Sequence, residues 1–436
     1  MEALNPAMAP VFARNPSRSS AAGESVLNIV LFITVVTSCL AFVEPSPHDV
    51  LIFVLLTACA AARVTFDRKL IPLLLLLLVW NIGGFFPLFL QVSDNEKAIQ
   101  SAGTSVYLAI AGVMFACLFS TGNLQRLATM RRAYILSALF ATALGYIGFF
   151  HLVPGSDIFL MAFRVRATFK DPNVYGPFLI FPLVLLMITL LTNRIRLLHL
   201  AVMTFLLGGL LLSGSRGAWG HFAASVGVAF IILVMAAREP RMRSRIVLLG
   251  AIAVIATLLL VIAVQSIPSV QDLILERAQA IQPYDVEQGG RFWEQQIAPS
   301  VILDHPFGMA PFEFDRIYGL QTHNTYLQGF IVFGWLGGTA YLLLVITTLL
   351  IGLRTVFLPT AWQSYLVAAY ATFVGEVSEG MIVDTGHWRH FFLLVGMIWG
   401  LSVANMNSLR ARTGARRADE HSEDALHVPG TLASAR

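Results

Sequence analysis

The stretch LIPLLLLLLVWNIGGFFPLFLQVS, residues 70–93, decides the fold class because its 24 residues include no charged side chain. An α-helix rises about 1.5 Å per residue, so about 20 such residues cross a hydrocarbon core about 30 Å thick. The stretch therefore predicts a transmembrane helix. The composition agrees, since 57% of the 436 residues are hydrophobic and only 12% are charged, whereas a soluble domain carries about 25% charged residues.

Charged residues divide the rest of the chain into further intervals of similar length. Ten of these intervals contain no Asp, Glu, Lys or Arg, namely 25–43, 98–125, 133–156, 172–193, 197–215, 217–237, 246–271, 317–353, 355–375 and 390–409. A shorter segment, 49–63, has charges only at its two ends, where they can snorkel to the membrane interfaces. The sequence thus predicts an all-α polytopic integral membrane protein with about twelve transmembrane helices.

The cysteines and the first residues exclude several kinds of membrane or secreted protein. Cys39, Cys59 and Cys117 all lie in these apolar segments, which excludes a disulfide-stapled ectodomain, an iron–sulfur centre and a cysteine zinc site. The first 24 residues are polar and mixed, and no apolar run there ends at a small-residue cleavage site, so we expect no removable signal peptide.

Basic residues predict the orientation, because Lys and Arg near short loops stay on the cytoplasmic side. With the N-terminus inside, twenty of the 29 Lys and Arg fall on that side, and an even number of crossings puts both ends in the cytoplasm. The predicted segments are a cytoplasmic tail (1–24), helices one to nine (25–267), a long outer loop with amphipathic helices (268–322), helices ten to twelve (323–407) and a disordered cytoplasmic tail (408–436).

Nine basic residues remain on the outer side against this rule. Five of them lie in three loops and are candidates for binding an anion. Arg216 lies in the hairpin Ser213-Gly-Ser-Arg-Gly217, whose glycines permit a tight turn with backbone donors facing one anion. Arg291 follows Gly289-Gly290 at the start of an amphipathic stretch, which places it at a helix N-terminus where anions bind favourably. The third cluster consists of Arg164, Arg166 and Lys170.

Each cluster also has a simpler explanation. Arg216 can snorkel to lipid headgroups, and Arg291 can be a solvated loop arginine. At least one residue of the third cluster can make a plain headgroup contact. A lipid-linked phosphate would lie at the membrane depth that all three clusters share.

His323 is the candidate for proton transfer, in Thr322-His-Asn-Thr-Tyr-Leu-Gln328 where the long outer loop enters the tenth helix. A helix N-terminus disfavours imidazolium, so the ring is expected to accept a proton. A capping or interface histidine explains the same residue equally well.

Several other chemistries receive no support. Asp285-Val-Glu287 and Glu313-Phe-Asp315 have the spacing of metal-binding carboxylates, but acidic pairs on a water-facing loop explain them better, and we expect no metal. The serine hydrolase, P-loop and dinucleotide-binding signatures do not occur, which argues against a nucleotide cofactor. Nucleic acid is not expected as a partner, because topology explains the inner basic residues.

The ordered motifs resemble the O-antigen ligase and polymerase family of membrane glycosyltransferases from about Thr168 to Gly338. The pieces are Thr168-Phe-Lys-Asp-Pro-Asn-Val-Tyr-Gly176, Ser213-Gly-Ser-Arg-Gly-Ala218, Gly290-Arg-Phe-Trp293, His305-Pro-Phe-Gly308, His323-Asn-Thr-Tyr-Leu-Gln328 and Gly334-Trp-Leu-Gly337. Each piece alone is weak, whereas the ordered set around one long outer loop is fairly specific.

The resemblance implies a GT-C type fold in the bacterial inner membrane with a periplasmic active site. It implies a polysaccharide on undecaprenyl pyrophosphate as donor and a sugar hydroxyl of lipid A core as acceptor. Arg216 and Arg291 would then stabilise the leaving pyrophosphate without a metal or cofactor, with one of Arg164, Arg166 and Lys170 adding a phosphate contact. His323 would take the acceptor proton during inverting attack, with Asp384 and Asn324 in support.

Three other activities remain open at this stage. An O-antigen polymerase would add the same donor to another lipid-linked repeat, and a protein O-glycosyltransferase would pass it to a protein hydroxyl. A transporter or flippase also has twelve helices with both ends inside. Carriers usually keep ionisable residues near the bilayer midplane, whereas here they gather toward one face.

Overall fold

The computed structural model describes residues 21–43, 45–90, 95–266, 271, 290–319 and 321–426. Its helices are α1 Ala21–Val36, α2 Pro47–Ala61, α3 Ile71–Leu90, α4 Asn95–Phe119, α5 Leu124–Phe149, α6 Pro172–Phe178, α7 Ile180–Thr192, α8 Leu197–Leu212, α9 Arg216–Ala236, α10 Pro240–Val264, α11 Arg291–Asp304, α12 Glu313–Tyr318, α13 Thr325–Val356, α14 Gln363–Glu379 and α15 Arg389–Leu426. A small antiparallel hairpin, β1 Leu160–Met161 and β2 Arg164–Val165, lies between α5 and α6.

These helices confirm the predicted all-α polytopic membrane fold. Nine helical segments in the described residues are long and apolar enough to cross a membrane, and α2 and α8 are shorter apolar helices. Each of the twelve predicted intervals coincides with a helix, except that 172–193 contains both α6 and α7. The count of twelve crossings itself stays a prediction.

Helix packing depends on small residues where two backbones meet. At the contact between α3 and α13, a Cβ added to Gly83 would lie 2.5 Å from the backbone nitrogen of Gly337. At the contact between α4 and α15, a Cβ on Gly400 would lie 2.5 Å from the carbonyl oxygen of Ala116. Inside lipid, close approach of this kind supplies the van der Waals contact that holds helices together.

The helices differ in how much protein surrounds them. Over an 18-residue window, 83% of the residues are buried in Pro172–Thr192 and 78% in Arg389–Ala411, against 6% in Pro240–Ala263. The first two therefore form the centre of the described bundle, and α10 lies at its edge.

α13 is broken at Gly334, which has the left-handed φ of 63°. The helical bond that Trp335 would donate to Ile331 is replaced by two bonds to the turn 306–309. Ile331 accepts from the backbone N–H of Met309 at 2.6 Å, and Trp335 donates to the carbonyl of Pro306 at 2.9 Å. The His305-Pro-Phe-Gly308 motif is thus docked into the break in the Gly334-Trp-Leu-Gly337 motif.

The C-terminal segment differs from the expectation. The sequence predicts disordered chain from Ser408, whereas α15 continues as a helix to Leu426. The segment is rich in Ala, Arg and Glu, which favour helix, and it extends a helix that is already nucleated.

Several of the segments that connect the described helices contact one another at one end of the bundle. We call the described residues among 40–48, 150–171, 213–217, 290–324 and 380–389 the loop end. Backbone bonds join these segments, for example from Ala41 to Thr168 at 3.0 Å and from Thr325 to Gly380 at 2.8 Å. All predicted site residues lie at this end.

Candidate active site

The turn that carries Arg216 is built from its own serines and one glycine. Gly214 has a left-handed φ of 56°, which reverses the chain after α8. The hydroxyl of Ser213 accepts from the Ser215 N–H at 3.3 Å, and the hydroxyl of Ser215 caps α9 by accepting from the Ala218 N–H at 3.3 Å. Arg216 is therefore the first residue of α9, where backbone N–H groups and the helix dipole favour an anion.

Arg164 ties two of the sequence motifs together. Its Nε donates to the carbonyl of Ser213 at 3.0 Å, and its Nη2 donates to Oδ1 of Asn173 at 2.8 Å. Asn173 is itself fixed by the cap of α6, where its N–H donates to Asp171 at 2.7 Å. The β-hairpin, the Asp171-Pro-Asn173 motif and the Arg216 turn are thus one connected unit.

The structure separates the other two members of that cluster from Arg164. The Nε of Arg166 donates to the carbonyl of Ile158 at 3.2 Å, and its guanidinium carbon lies 5.9 Å from the ring centre of Phe42. Lys170 is exposed and lines a large cavity. The three residues therefore have different surroundings, which the sequence did not distinguish.

Arg291 is the first residue of α11, with Gly290 as its N-cap. This agrees with the predicted helix N-terminus. The side chain of Arg291 lies outside the described part of the structure, so its role as a phosphate ligand stays a prediction.

His323 is held in a left-handed backbone conformation with φ of 47°. A non-glycine residue rarely adopts this region, and such strain concentrates at functional sites. The next residue, Asn324, caps α13 by accepting from the N–H groups of Tyr326 and Leu327 at 3.0 and 3.1 Å. Its Nδ2 also donates to the carbonyl of Met381 at 3.0 Å. The start of α13 is thereby fastened to the turn between α14 and α15.

Asp384 lies on that same turn, where its Oδ1 accepts from the Gly386 N–H at 3.0 Å. A second carboxylate that the sequence analysis did not place in the site, Asp315, accepts from Nε2 of Gln321 at 2.9 Å. Burial raises the pKa of Asp315, while the bond from Gln321 and the charge of His323 lower it and Asp384 raises it. Asp315, His323 and Asp384 thus lie within electrostatic reach of one another.

The arginine turn and the histidine meet through the end of α14. A Cβ added to Gly217 would lie 2.6 Å from Oε1 of Glu379, and the following Gly380 accepts from the backbone of Thr325. Gly217, which follows Arg216, and Thr325, two residues after His323, therefore contact neighbouring residues of one segment, 379–380.

Two buried glutamates near this junction were missed by sequence reasoning. Glu379 accepts from, or donates to, Nδ1 of His221 at 2.8 Å, and Glu376 lies 3.3 Å from Nε2 of His390. All four side chains are nearly inaccessible. His221 and Glu379 are 158 residues apart, so no local pattern in the sequence indicates that they pair.

A cavity of about 1360 Å³ lies beside the site, between α1, α2, α4, α5 and the start of α15. Its walls are mostly apolar, and one wall holds the ion pair of Asp49 and Arg389, with oxygen to nitrogen distances of 2.8 and 2.9 Å. Tyr107 donates to the same carboxylate at 2.8 Å. A lipid chain with a polar head has the shape and polarity for such a space.

Among the described residues, no three His, Cys, Asp or Glu side chains are grouped so that they could hold a metal ion. Of the two predicted carboxylate pairs, residues 285–287 lie outside the described part. Glu313 accepts two bonds from Arg316, at 2.8 and 2.9 Å.

A family model described as O-antigen ligase matches residues 200–342. The match confirms the predicted family resemblance, and it includes Arg216, Arg291 and His323. It supports an enzyme of the glycosyltransferase type that acts on polysaccharide or lipid-linked substrates in general. No curated protein matches the chain.

Proposed function

We propose, from the premise that residues 200–342 form a domain of the O-antigen ligase family, that the protein joins a polysaccharide to lipid A core. The donor is the polysaccharide on undecaprenyl pyrophosphate, and the acceptor is a sugar hydroxyl. Transfer takes place at the periplasmic side of the inner membrane, which corresponds to the loop end. The observation that carries the proposal is the junction at residues 379–380, where the Arg216 turn and the start of the His323 helix are attached side by side.

The arginine turn supplies the donor site. Arg216 at the N-terminus of α9 offers a guanidinium together with backbone donors, and Arg164 holds this turn in shape. Arg291, at the start of α11, is the second phosphate ligand, and Lys170 on the wall of the large cavity is an additional cation. Negative charge grows on the pyrophosphate as it leaves, and fixed cations stabilise that charge without reorganisation.

His323 acts as the general base. The acceptor oxygen attacks the anomeric carbon, the bond from that carbon to the pyrophosphate oxygen breaks, and its electron pair leaves with the pyrophosphate. The proton of the acceptor hydroxyl passes to the imidazole of His323. One direct displacement inverts the anomeric carbon. Asn324 and Asp384 hold the segment that carries the base, through the helix cap and the adjoining turn.

The experiment combines the purified full-length chain with undecaprenyl-pyrophosphate glycan and lipid A core, without nucleotide and in the presence of a chelator. Formation of glycosylated lipid A core supports the proposal. Longer lipid-linked chains without modified core identify a polymerase instead, and glycan on protein identifies a protein glycosyltransferase. Counterflow of substrate in proteoliposomes without covalent transfer identifies a carrier and overturns the enzyme assignment.

A further inference from the structure

A second, smaller cavity of about 180 Å³ lies beside the segment that carries His323. It is well below the roughly 300–1,000 Å³ of sites for drug-sized ligands, so it suits one small ring. It shares Ser101, Phe312 and His387 with the large cavity. A group in the small cavity could therefore be covalently continuous with a lipid in the large one.

One wall of the small cavity is aromatic. Trp80 stacks on Phe333 with ring centres 4.9 Å apart, and Tyr341 lies 6.0 Å from Trp80. The three rings come from α3 and α13, at the place where the backbones of Gly83 and Gly337 meet. The three rings line the cavity with apolar surface, which suits the C–H groups of a sugar ring.

The remaining walls present hydrogen-bonding groups that the protein does not use up. Gln328 accepts from Thr322 at 3.1 Å, which fixes its amide, yet its Nε2 donates to no acceptor in the described residues. Gln321 donates to Asp315, and its carbonyl oxygen accepts no bond there. Asp384 uses Oδ1 for Gly386, while its other oxygen is without a donor in that part of the chain.

We infer that this cavity is the subsite for the sugar ring of the acceptor that carries the attacking hydroxyl. The aromatic wall takes the C–H face, and Gln321, Gln328 and Asp384 bind hydroxyl groups. Gln321 and Thr325, both on the cavity wall, are each two residues from His323, so a ring in the cavity lies next to the base. This inference rests on the proposed function for the identity of the ring as acceptor.

Transfer kinetics test the assignment through Gln328→Leu. The matched control is Gln125→Leu, at an exposed position in the first turn of α5, away from the loop end. Loss of one hydrogen bond to a hydroxyl raises the KM for lipid A core about tenfold and leaves the KM for the donor unchanged. Unchanged acceptor KM in Gln328→Leu overturns the inference. A rise in donor KM alone also overturns it, because the ring would then belong to the donor.

A binding test separates this inference from the proposed function. In the Ser101→Cys variant a maleimide reports access to the cavity, and core oligosaccharide released from lipopolysaccharide is the probe. We expect the probe to slow alkylation severalfold, and to fail to do so when Gln328→Leu is added. Protection without any transfer activity keeps the subsite and overturns the ligase function. Transfer without protection keeps the function and overturns the subsite.

Discussion

The two ends of the helix bundle differ in how many buried carboxylate oxygens lack a hydrogen bond in the described residues. At the end opposite the loop end, Arg126 forms a two-pronged pair with Glu24 at 2.8 Å, and Asn123 donates to the same carboxylate. Glu294 and Asp315 at the loop end, and Glu376 and Glu379 in the adjoining end of α14, each have a buried carboxylate oxygen without a hydrogen bond in the described residues. Of the six non-glycine residues with positive φ in that part of the chain, only Arg63 lies at the opposite end.

This difference indicates which end of the bundle contributes to stability and which end contributes to function. A charge pair whose hydrogen bonds are all formed stabilises a helix terminus and leaves no buried group in need of a ligand. Unsatisfied buried groups and strained backbone cost free energy, and they persist where a ligand or a reaction uses them. The comparison therefore predicts that substitutions at the loop end change activity more than those at the other end.

The largest expected effect comes from removing the imidazole of His323, which we propose as the general base. His323→Asn keeps a residue that tolerates the left-handed backbone but removes the imidazole, and we expect transfer to fall by about 10²-fold or more. His151→Asn is the matched control, because His151 is also a left-handed histidine at the loop end. Initial rates of the reconstituted variants, with melting curves to establish folding, provide the measurement. Near-normal transfer by His323→Asn would remove the base assignment.

Two glycines one turn apart on α9 test the junction with α14. Gly217→Ala places a Cβ against Glu379, and we expect overpacking to lower the free energy of unfolding by about 1–3 kcal/mol. Gly220→Ala meets nothing within 4 Å, so it should be neutral or stabilise by up to about 1 kcal/mol. Thermal unfolding in detergent compares the two variants. Equal midpoints would mean that Glu379 does not support the Arg216 turn.

A smaller effect should separate two neighbouring arginines. Arg164→Lys cannot keep both bonds, to Ser213 and Asn173, so we expect the KM for the donor to rise about tenfold. Arg166 makes one backbone bond and one aromatic contact, so Arg166→Lys should change the same constant by less than about twofold. Steady-state kinetics with varied donor distinguish them. An equal response of both would contradict the separation that the structure makes.

The smallest expected effect concerns pH. Because burial raises the pKa of Asp315, the folded state binds its proton more tightly than the unfolded chain does. Stability from this group is complete below the ordinary aspartate pKa and is lost as pH rises through the raised value. Asp315→Asn should flatten the fall in melting temperature across that acidic window, while the exposed Asp304→Asn leaves it unchanged. A slope that persists in Asp315→Asn would assign it to another group.

The sequence was sufficient for the fold class and for part of the site. Runs of uncharged residues longer than a bilayer leave little choice but helices, because lipid offers the backbone no hydrogen bonds. The start of α9 at Arg216 and of α11 at Arg291 followed from local turn and cap chemistry. These features depend on residues close in the chain.

Features that depend on residues far apart in the chain could not be predicted from the sequence. The sequence treats Arg164, Arg166 and Lys170 as equivalent. Only the hydrogen bond from Arg164 to Ser213, 49 residues away, distinguishes Arg164 from the other two. The pairing of His221 with Glu379 spans 158 residues, and no local pattern requires it. The prediction of a disordered tail was wrong for a local reason. The helix continues to Leu426, because a polar composition alone does not prevent the extension of an existing helix.

The break at Gly334 divides α13 into two helical segments, an outer piece and an inner piece. The outer piece, 325–333, is joined to the inner piece by the splint of residues 306–309 as well as by its own chain. The outer piece is also held by α3, which its Phe333 contacts at Gly83 and Gly84, and by the bond from Thr325 to Gly380. The position of His323 is thus set by several elements that are distant in the chain, and not by the helix that follows it alone.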